Sequence, residues 1–359
     1  MDNKKLLFLV GTYTSRGAEG IYTLSLDLSN GEMKKIFVNK EVVDPSFLIL
    51  NSDHTRAYAV GERTSDDGKV FSFSVNEDGS IKLLGTQSTI GTGPCHLAID
   101  SSDSNLIVAN YNSGSVCIYP TDDDGKLMIN SDFHQHLGSS SEDNGSKLPN
   151  QKGPHAHSVT IDSQDKYAYV CDLGKDMIIV YEIDSINHKL ILRDELNTKT
   201  DNFEGPRHFD FHPNLPIAYV INEIGCTVSV FDKHSSGRLI QKQKVSTLPH
   251  DKYENYSTAD IHVSKDGKFL YGSNRGHNSL VIYEIDQDTG KLDYVDNQST
   301  FGETPRNFVI TPDDKIVLAE NQDTGDIFSY FRDIRSGKLE PTGYSIKIPA
   351  PVCIKFLDK

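Results

Sequence analysis

The stretch Thr289-Gly290-Lys291-Leu292 decides the fold, because its signature recurs along the whole chain. The signature is a small polar residue, a glycine, a Lys or Arg and an apolar residue, which suits a tight turn between antiparallel strands because glycine tolerates positive φ. The other copies are Asn30-Gly31, Asp78-Gly79, Asp124-Gly125, Ser236-Gly237-Arg238-Leu239, Ser336-Gly337-Lys338-Leu339 and the degenerate Asn187-His188-Lys189-Leu190. Seven copies at intervals of about 46 to 63 residues match the period of a β-propeller blade.

A second repeated feature supports the same count. A proline opens an alternating apolar segment at Pro45, Pro94, Pro154, Pro206, Pro305 and Pro351, and Thr258 takes the place of proline in the seventh copy. Except where the chain ends, each such segment is followed by a second and a third run rich in Val, Ile, Tyr and Ala, then by the hairpin and a fourth run. The pattern predicts an all-β fold, a seven-bladed β-propeller with four-stranded antiparallel blades.

The two ends of the sequence complement one another. Residues 6–13, 21–26 and 33–37 supply only three strands before the blade that starts at Pro45, and residues 351–357 supply the missing innermost strand. A C-terminal strand that joins the N-terminal blade closes the ring and leaves no free sheet edge between the first and last blades. We therefore predict one closed domain over residues 1–359.

Composition restricts the cellular setting and the partners. The net charge of −15 argues against nucleic acid or an anionic membrane as a partner. The apolar run at residues 6–10 is too short for a secretory signal, and no run is long enough for a transmembrane helix. Five cysteines without metal-ligand or disulfide spacing favour a reducing compartment. The sequence predicts a cytoplasmic protein that binds neither nucleic acid nor membrane, and none of these patterns specifies an oligomer.

Strand direction predicts where the chemistry lies. In a blade that runs outward from the channel, the starts of first strands and the ends of second strands meet at one mouth. The first-strand starts carry Cys95, His96, His155, His157, Arg207, His208, Asp260, Arg306 and Asn307. The second-strand ends carry Glu62, Arg63, Asn110, Asn112, Asp172, Asn222, Glu223, Asn274, Arg275, Glu320 and Asn321. We expect cationic and acid–base groups to converge on one central pocket.

Three arginines are the most informative of these residues. Nothing in turn chemistry requires Arg207, Arg275 and Arg306 at the mouth ends of three successive blades. A guanidinium cluster in an acidic protein indicates a local trap for phosphate or carboxylate. Surface salt bridges are the alternative interpretation.

The remaining candidates are acid–base and polar groups. His155 and His157 lie on one face of an extended strand, but no third ligand follows at a suitable spacing, so we predict proton transfer rather than a metal site. Glu223 is either an acid or base or a salt-bridge partner that holds Arg207 or Arg275. Cys95 is a weak candidate nucleophile because no base can be assigned to it. Further candidates for substrate binding, which turn chemistry also favours, are Asp172, Asn222, Asn274 and Asn321.

Five stretches carry a resemblance to a known family: GPHAHSVTID (153–162), GPRHFDFHP (205–213), AYVINE (218–223), ADIHVSKDGKFLYGSNRG (259–276) and TPRNFVITPDDK (304–315). They resemble the seven-bladed propeller lactonases, which include the cytoplasmic propeller-type 6-phosphogluconolactonases and, more distantly, the fungal carboxymuconate cyclases. The resemblance runs over essentially the whole chain. Relatives typically carry Glu where this chain has Asp260, which keeps the charge but shortens its reach.

The resemblance implies a hydrolase without cofactor that opens 6-phospho-D-glucono-1,5-lactone in the pentose phosphate pathway. By that resemblance the catalytic residues are His157, Arg207, Glu223 and Arg275, with His155 as an alternative to His157, and the partner is a small anionic sugar lactone. Substrate-binding roles fall to His155, Arg306, Asp172, Asn222, Asn274 and Asn321. A carboxymuconate-type cycloisomerase and a non-catalytic binding platform are the alternatives.

One loop is singled out by its composition. Residues 138–152 are rich in Gly, Ser, Asp and Asn and precede Pro154, which places them at the same mouth as the pocket. We predict a mobile loop there that forms a partial lid.

Overall fold

The computed structural model describes residues 5–63, 67–140, 142, 145–250 and 255–357. The strands in this part of the chain are β1 (Lys5–Thr12), β2 (Ile21–Asp27), β3 (Met33–Asn39), β4 (Leu48–Leu50), β5 (Arg56–Gly61), β6 (Lys69–Val75), β7 (Ile81–Ser88), β8 (Pro94–Ile99), β9 (Asn105–Asn110), β10 (Ser115–Pro120), β11 (Asp132–Gln135), β12 (Ala156–Ile161), β13 (Tyr167–Asp172), β14 (Met177–Asp184), β15 (Lys189–Leu192), β16 (Thr198–Lys199), β17 (Pro206–Phe211), β18 (Ile217–Asn222), β19 (Thr227–Lys233), β20 (Leu239–Ser246), β21 (Ser257–Val263), β22 (Phe269–Arg275), β23 (Ser279–Ile285), β24 (Leu292–Ser299), β25 (Pro305–Ile310), β26 (Ile316–Asn321), β27 (Asp326–Arg332), β28 (Leu339–Lys347) and β29 (Pro351–Phe356). Short 3₁₀ turns lie at Thr14–Arg16, Pro149–Gln151, Leu173–Lys175 and Asp194–Leu196.

Within the described ranges these strands form seven antiparallel sheets, which confirms the predicted propeller. Blade 1 has the strand order β29-β1-β2-β3, blade 2 is β4 to β7, blade 3 is β8 to β11, blade 4 is β12 to β15, blade 5 is β17 to β20, blade 6 is β21 to β24 and blade 7 is β25 to β28. Blade 4 carries an extra short strand, β16, which pairs with β14. The extent of the domain over residues 1–359 stays a prediction.

The predicted ring closure is confirmed by the pairing of β29 with β1. Phe8 pairs with Phe356 and Val10 pairs with Ile354 in an antiparallel register. The closing strand also reaches both neighbouring blades, because the Ile354 amide donates to Asn307 Oδ1 at 3.0 Å and the Leu48 amide donates to Cys353 Sγ at 3.3 Å. Pairing across the chain ends therefore completes blade 1 and joins it to blades 2 and 7.

The repeated hairpin glycine is where one blade bonds the next. Tyr219 in blade 5 donates its hydroxyl to the carbonyl of Gly290 in the blade 6 hairpin at 2.9 Å. Equivalent bonds run from Tyr58 to Gly125, Tyr169 to Gly237, Tyr271 to Gly337, Thr23 to Gly79 and Ser329 to Gly31. The signature thus serves docking between blades as well as turn formation.

The degenerate hairpin copy uses different chemistry for the same contact. His188 adopts φ 53° in the position that glycine takes elsewhere, and its Nδ1 lies 2.7 Å from Asn105 Oδ1 in blade 3. The His188 carbonyl also accepts a hydrogen bond from the Ser131 hydroxyl just before β11. An imidazole contact is therefore added to the bond at the hairpin carbonyl between blades 3 and 4.

Apolar side chains pack between adjacent blades. Between blades 4 and 5, for example, the Tyr169 and Phe209 rings stack with centroids 5.4 Å apart, and Cys171, Val180 and Val220 are buried around them. The five cysteines all lie in the described part of the chain, are buried and form no disulfide bond. No helix in the part of the chain that the structure describes is long and apolar enough to cross a membrane.

The segment predicted to be a mobile lid is packed at several described points, and residues 141, 143 and 144 of it lie outside the described part. Gln151 is fully buried and donates to Asp176 Oδ1 at 2.8 Å. Ser140 donates to Asp176 Oδ2 at 2.8 Å, and the Gly205 amide donates to the same carboxylate at 2.7 Å. Asp176 therefore anchors this segment and the loop before blade 5 to one another.

Candidate active site

β-Bulges at the starts of the first strands position the candidate residues. In β17, Pro206 pairs with Asn222 and His208 pairs with Ile221, so Arg207 is an extra residue without a partner across the ladder. The same irregularity falls on Cys95, His157, Arg306 and Val352 in blades 3, 4, 7 and 1. A bulge re-aims its side chain, and all five of these residues line one recess at the mouth of the channel.

A single carboxylate holds two of the arginines. Glu223 Oε2 accepts hydrogen bonds from Arg207 Nε at 2.8 Å and lies 2.8 Å from Arg275 Nη2. The guanidinium groups also donate to backbone carbonyls, from Arg207 to Ala259 at 2.6 Å and from Arg275 to Thr258 at 2.6 Å. The structure therefore brings together Arg207, Glu223 and Arg275 from blades 5 and 6, as the sequence predicts.

The charges of the three arginines and of Glu223 shift the pKa values in this cluster. Burial alone would raise the pKa of Glu223, but the guanidinium charges of Arg275, Arg207 and Arg306 outweigh burial and hold that pKa below its ordinary value. Burial, together with the positive charges of Arg306 and Arg275, lowers the pKa of Arg207 to about 10. At neutral pH the cluster is one carboxylate between two cations.

His157 borders the same cluster. Its Nε2 lies 3.9 Å from Glu223 Oε2, and its buried Nδ1 has no hydrogen-bond partner among the described residues. Burial and the nearby charge of Arg207 hold the pKa of His157 well below its ordinary value. The imidazole is therefore neutral at pH 7 and faces the recess.

Arg306 has a different environment from the other two arginines. Its guanidinium lies over the Tyr13 ring, 5.6 Å from the centroid, and makes no hydrogen bond or ion pair with any described residue. The Tyr13 hydroxyl donates to Glu62 Oε2 at 2.7 Å, so that phenol ring is fixed in place. Among the described arginines of the site, Arg207, Arg275 and Arg306, the last therefore keeps its donors available.

Sequence reasoning placed His208 and Asp260 at the mouth but gave neither a role. His208 Nδ1 lies 2.7 Å from Asp260 Oδ1, and Asp260 Oδ2 is bonded by His262 Nε2 at 2.9 Å and by the Asn307 amide. The bulge turns both Arg207 and His208 toward the channel, although simple alternation would send them to opposite faces. A predicted bulge at Arg207 would have placed both side chains at the channel, but no sequence pattern used above indicates one.

Three predicted substrate-binding residues are turned away from the recess. The side-chain amides of Asn222, Asn274 and Asn321 are fully buried. They donate inside their own blades, for example from Asn222 to Ser229 Oγ at 3.0 Å, or to the chain that follows the preceding blade, for example from Asn321 to the Thr300 carbonyl at 2.9 Å. These amides hold the turn after the second strand, which is the turn chemistry that asparagine favours, and none of the three lines the recess; their role in substrate binding stays a prediction.

Asp172 is also turned away, and His155 does not line the recess. Asp172 is fully buried, lies 2.6 Å from His136 Nδ1 and accepts the His155 amide at 2.8 Å. The His155 ring stacks on Tyr111 with centroids 4.4 Å apart, and its Nδ1 lies 2.8 Å from the Tyr111 carbonyl. The contacts of Asp172 are therefore structural ones away from the recess, and its substrate-binding role stays a prediction.

Cys95 lies at the recess but is not activated. Its thiol is buried and lies 3.2 Å from the His157 carbonyl, and burial raises its pKa far above its ordinary value. Within the described ranges no group of three or more His, Cys, Asp or Glu side chains is arranged to hold a metal ion.

Comparison with known proteins decides the family. The family model described as lactonase, 7-bladed beta-propeller matches residues 7–356. The chain belongs to the seven-bladed β-propeller lactonase family. The 6-phosphogluconolactonase of Bacillus subtilis is 31% identical to this lactonase over 99% of each chain. The 6-phosphogluconolactonase of Formosa agariphila is 33% identical, over 92% of this chain and 94% of that protein.

Solved structures agree with this family assignment. A protein of Bacteroides fragilis provisionally assigned as a 6-phosphogluconolactonase superposes on this lactonase with a TM-score of 0.92 and 36% identity, over 99% of both chains. The periplasmic gluconolactonase of Pseudomonas aeruginosa superposes with a TM-score of 0.92 and 29% identity, over 98% of this chain and 99% of that chain.

Proposed function

We propose that this lactonase hydrolyses 6-phospho-D-glucono-1,5-lactone to 6-phosphogluconate. The observation that carries the proposal is the cluster of arginines, in which Arg207 and Arg306 line the recess, Arg207 and Arg275 share Glu223, and Arg306 keeps its donors available. The relatives named 6-phosphogluconolactonase, which are aligned over nearly the whole chain, support the same substrate.

The geometry favours different roles for the three arginines. Lactone opening places negative charge on the carbonyl oxygen, and donors held in advance stabilise that charge most effectively. Arg207 and Arg275 are such donors, because Glu223 and backbone carbonyls fix their guanidinium groups. Arg306 is free to meet the phosphate, for which the fork of a guanidinium is well suited.

Glu223 and His157 complete the proposed catalytic set. Glu223 is better suited to holding the arginines in place than to accepting a proton, because Arg207 and Arg275 both contact its Oε2 and its pKa is lowered. His157 is a neutral imidazole at the recess that can donate a hydrogen bond to the lactone. The cytoplasm stays our prediction for the location, and the pentose phosphate pathway follows from the proposed reaction.

The test is an assay of acid release, with the rate measured above spontaneous hydrolysis. We expect turnover of the phosphorylated lactone, weaker turnover of D-glucono-1,5-lactone and none of a carboxymuconate lactone. Preference for the unphosphorylated lactone would place this chain nearer to the Pseudomonas gluconolactonase. Turnover of the carboxymuconate compound alone would favour a cycloisomerase, and activity on none of the three would favour a binding platform.

Arg306→Ala tests the phosphate role. Loss of a charge-assisted contact worth roughly 1.5–3 kcal/mol predicts a KM for the phosphorylated lactone about 10- to 100-fold higher. KM for D-glucono-1,5-lactone should change much less. Arg238→Ala is the matched control, because Arg238 lies in the blade 5 hairpin, is exposed and donates to the Glu195 carbonyl of blade 4. An equal change in KM for both lactones would remove the phosphate role from Arg306.

A further inference from the structure

The recess at the mouth has room for about one water molecule, so the lactone of the proposed reaction would lie across its opening. Its volume is about 10 Å³, which is about the space that one water molecule requires. Polar side chains that surround it include His157, Arg207, His208, Arg306 and Glu62. A water held here would lie among the groups that the proposed lactonase reaction uses.

His208 is oriented by a carboxylate. Burial would by itself raise the pKa of Asp260, but the His262 and His208 contacts hold it well below its ordinary value, so the carboxylate is ionised and only accepts hydrogen bonds. His208 Nδ1, 2.7 Å from Asp260 Oδ1, must therefore carry its proton there. Its Nε2 makes no hydrogen bond with any described residue, and burial together with the charge of Arg207 lowers the pKa of His208 to about 4.

Asp260 is itself held from its other side. Asn307 and His262 both bond Asp260 Oδ2, and the Ser273 hydroxyl accepts the Asp260 backbone amide at 2.9 Å. The side chain is buried and fixed by three strands of blades 5, 6 and 7. The imidazole of His208 thus has a defined tautomer and a defined orientation, which are the properties that a carboxylate gives to a catalytic histidine.

We propose that His208 is a further catalytic residue, the general base that takes a proton from the hydrolytic water, and that Asp260 is its positioning residue. This inference rests on the proposed lactonase function. As the water oxygen bonds to the lactone carbonyl carbon, one water proton moves to His208 Nε2 and the carbonyl electrons move to the oxygen facing the arginines. The ring carbon–oxygen bond then breaks, His208 returns the proton to the leaving ring oxygen, and the carboxylic acid formed releases its own proton to solvent.

His208 suits this role better than its neighbours. Glu223 already accepts from two guanidinium groups through Oε2. No carboxylate in the described part of the chain lies within hydrogen-bond distance of His157, whose Nε2 is 3.9 Å from Glu223 Oε2. Among the imidazoles that line the recess, His208 is the one that a carboxylate orients.

The experiment measures kcat and KM for the phosphorylated lactone in His208→Gln, in Asp260→Asn and in the double variant. We expect His208→Gln to lower kcat by about 10²- to 10⁴-fold with little change in KM. Asp260→Asn should lower kcat by about tenfold or more. The double variant should be no slower than His208→Gln alone, because a residue that acts only through His208 has nothing further to lose.

His96→Gln is the matched control. His96 is a half-buried imidazole in the same channel, 5.2 Å from the His208 ring centroid and stacked on Phe47, and it has no carboxylate partner among the described residues. We expect this variant to keep near wild-type kcat. Near wild-type kcat in folded His208→Gln would overturn the inference, as would additive losses in the double variant.

Two further results make the test complete. If His208→Gln does not fold, the kcat values of Asp260→Glu and Asp260→Asn are compared instead. Asp260→Glu keeps the charge and should therefore have the higher kcat of the two. Equal losses of kcat in both variants would overturn the inference. A wild-type protein that accelerates none of the lactones would refute the proposed function itself. Active wild type with an unaffected His208 variant would refute only the role of His208.

Discussion

At the scale of single residues, the candidate site depends on one carboxylate that serves two cations. Glu223 keeps Arg207 and Arg275 close together although like charges repel, and of these two fixed guanidinium groups that of Arg207 lines the recess. Replacement of the carboxylate by an amide of the same shape removes the charge but not the volume.

Glu223→Gln should therefore disturb the arginines rather than abolish proton transfer. Loss of one charge from two charge-assisted hydrogen bonds predicts a fall in kcat/KM of about 10- to 100-fold with a higher KM. Steady-state kinetics on the phosphorylated lactone provide the measurement. A fall in kcat of about 10²- to 10⁴-fold at unchanged KM would instead make Glu223 the general base.

Glu320 shows the opposite case, a buried carboxyl group without an ion-pair partner among the described residues. It is fully buried on β26, and burial together with the negative charge of Asp260 raises its pKa well above the ordinary value. The unfolded chain ionises this group near pH 4.3. The folded state binds this proton more tightly than the unfolded chain does. The free energy of unfolding therefore falls as pH rises from about 4.3 toward the folded-state pKa of Glu320.

Glu320→Gln should remove this pH-dependent cost. We expect the variant to be close to wild type in free energy of unfolding near pH 4 and to gain on wild type as pH rises from 4.3 toward the folded-state pKa. Urea unfolding at a series of pH values gives the comparison. A wild-type advantage that grows with pH would show that the carboxyl group is stabilised as an anion.

At the scale of elements, each blade is fixed to the next by a bond to a hairpin carbonyl. Tyr219, Tyr169, Tyr271 and Tyr58 donate to the glycine carbonyl of the next blade at 2.7 to 2.9 Å. Close packing accompanies the bond, because a Cβ built on Gly290 would lie 2.6 Å from Ile217. The glycine is therefore required by the neighbouring blade as well as by its own turn.

Tyr219→Phe should weaken the contact between blades 5 and 6 without affecting the site. Removal of this hydroxyl predicts a loss of about 1 kcal/mol in the free energy of unfolding, since the Gly290 carbonyl loses a buried donor. Thermal unfolding and lactone turnover should be measured on the same preparation. Tyr344→Phe, at an exposed tyrosine, is the control and should leave Tm unchanged. An equal effect in both variants would argue against the inter-blade bond.

At the scale of the whole molecule, closure of the ring and assembly of the site are connected. Asn307 accepts the Ile354 amide of the closing strand and donates to Asp260 beside His208. The closing strand also brings Val352 to the recess. Blade 1 therefore contributes to the site as well as to stability.

Deletion of residues 350–359 should open the ring. Loss of β29 leaves the backbone groups of β1 unpaired at an exposed sheet edge, so we expect aggregation together with loss of activity. Light scattering after size-exclusion chromatography provides the measurement, and deletion of residues 358–359 alone, which leaves β29 whole, is the control. A monomeric and active truncated protein would contradict the role of β29.

Much of the fold was predictable because its signals are local. Glycine in a tight turn, proline at a strand start and alternating apolar residues are requirements of neighbouring residues, so the seven blades, their strands and the closing strand follow from sequence alone. The clustering of Arg207, Glu223 and Arg275 also followed, because the meander places those strand ends at one mouth.

The details of the site depended on contacts between strands and blades. Side-chain packing across blade 5 turns the Asn222 amide toward Ser229 and away from the recess. No pattern among neighbouring residues in the sequence indicates that packing. The bulge at Arg207 is a property of the pairing between β17 and β18, and it turns His208 into the channel. His208 Nδ1 lies 2.7 Å from Asp260 Oδ1 only because adjacent blades pack around a common axis. Sequence determined the architecture through local turn and strand chemistry, whereas tertiary structure decided which side chains meet, because those contacts join residues far apart in the chain.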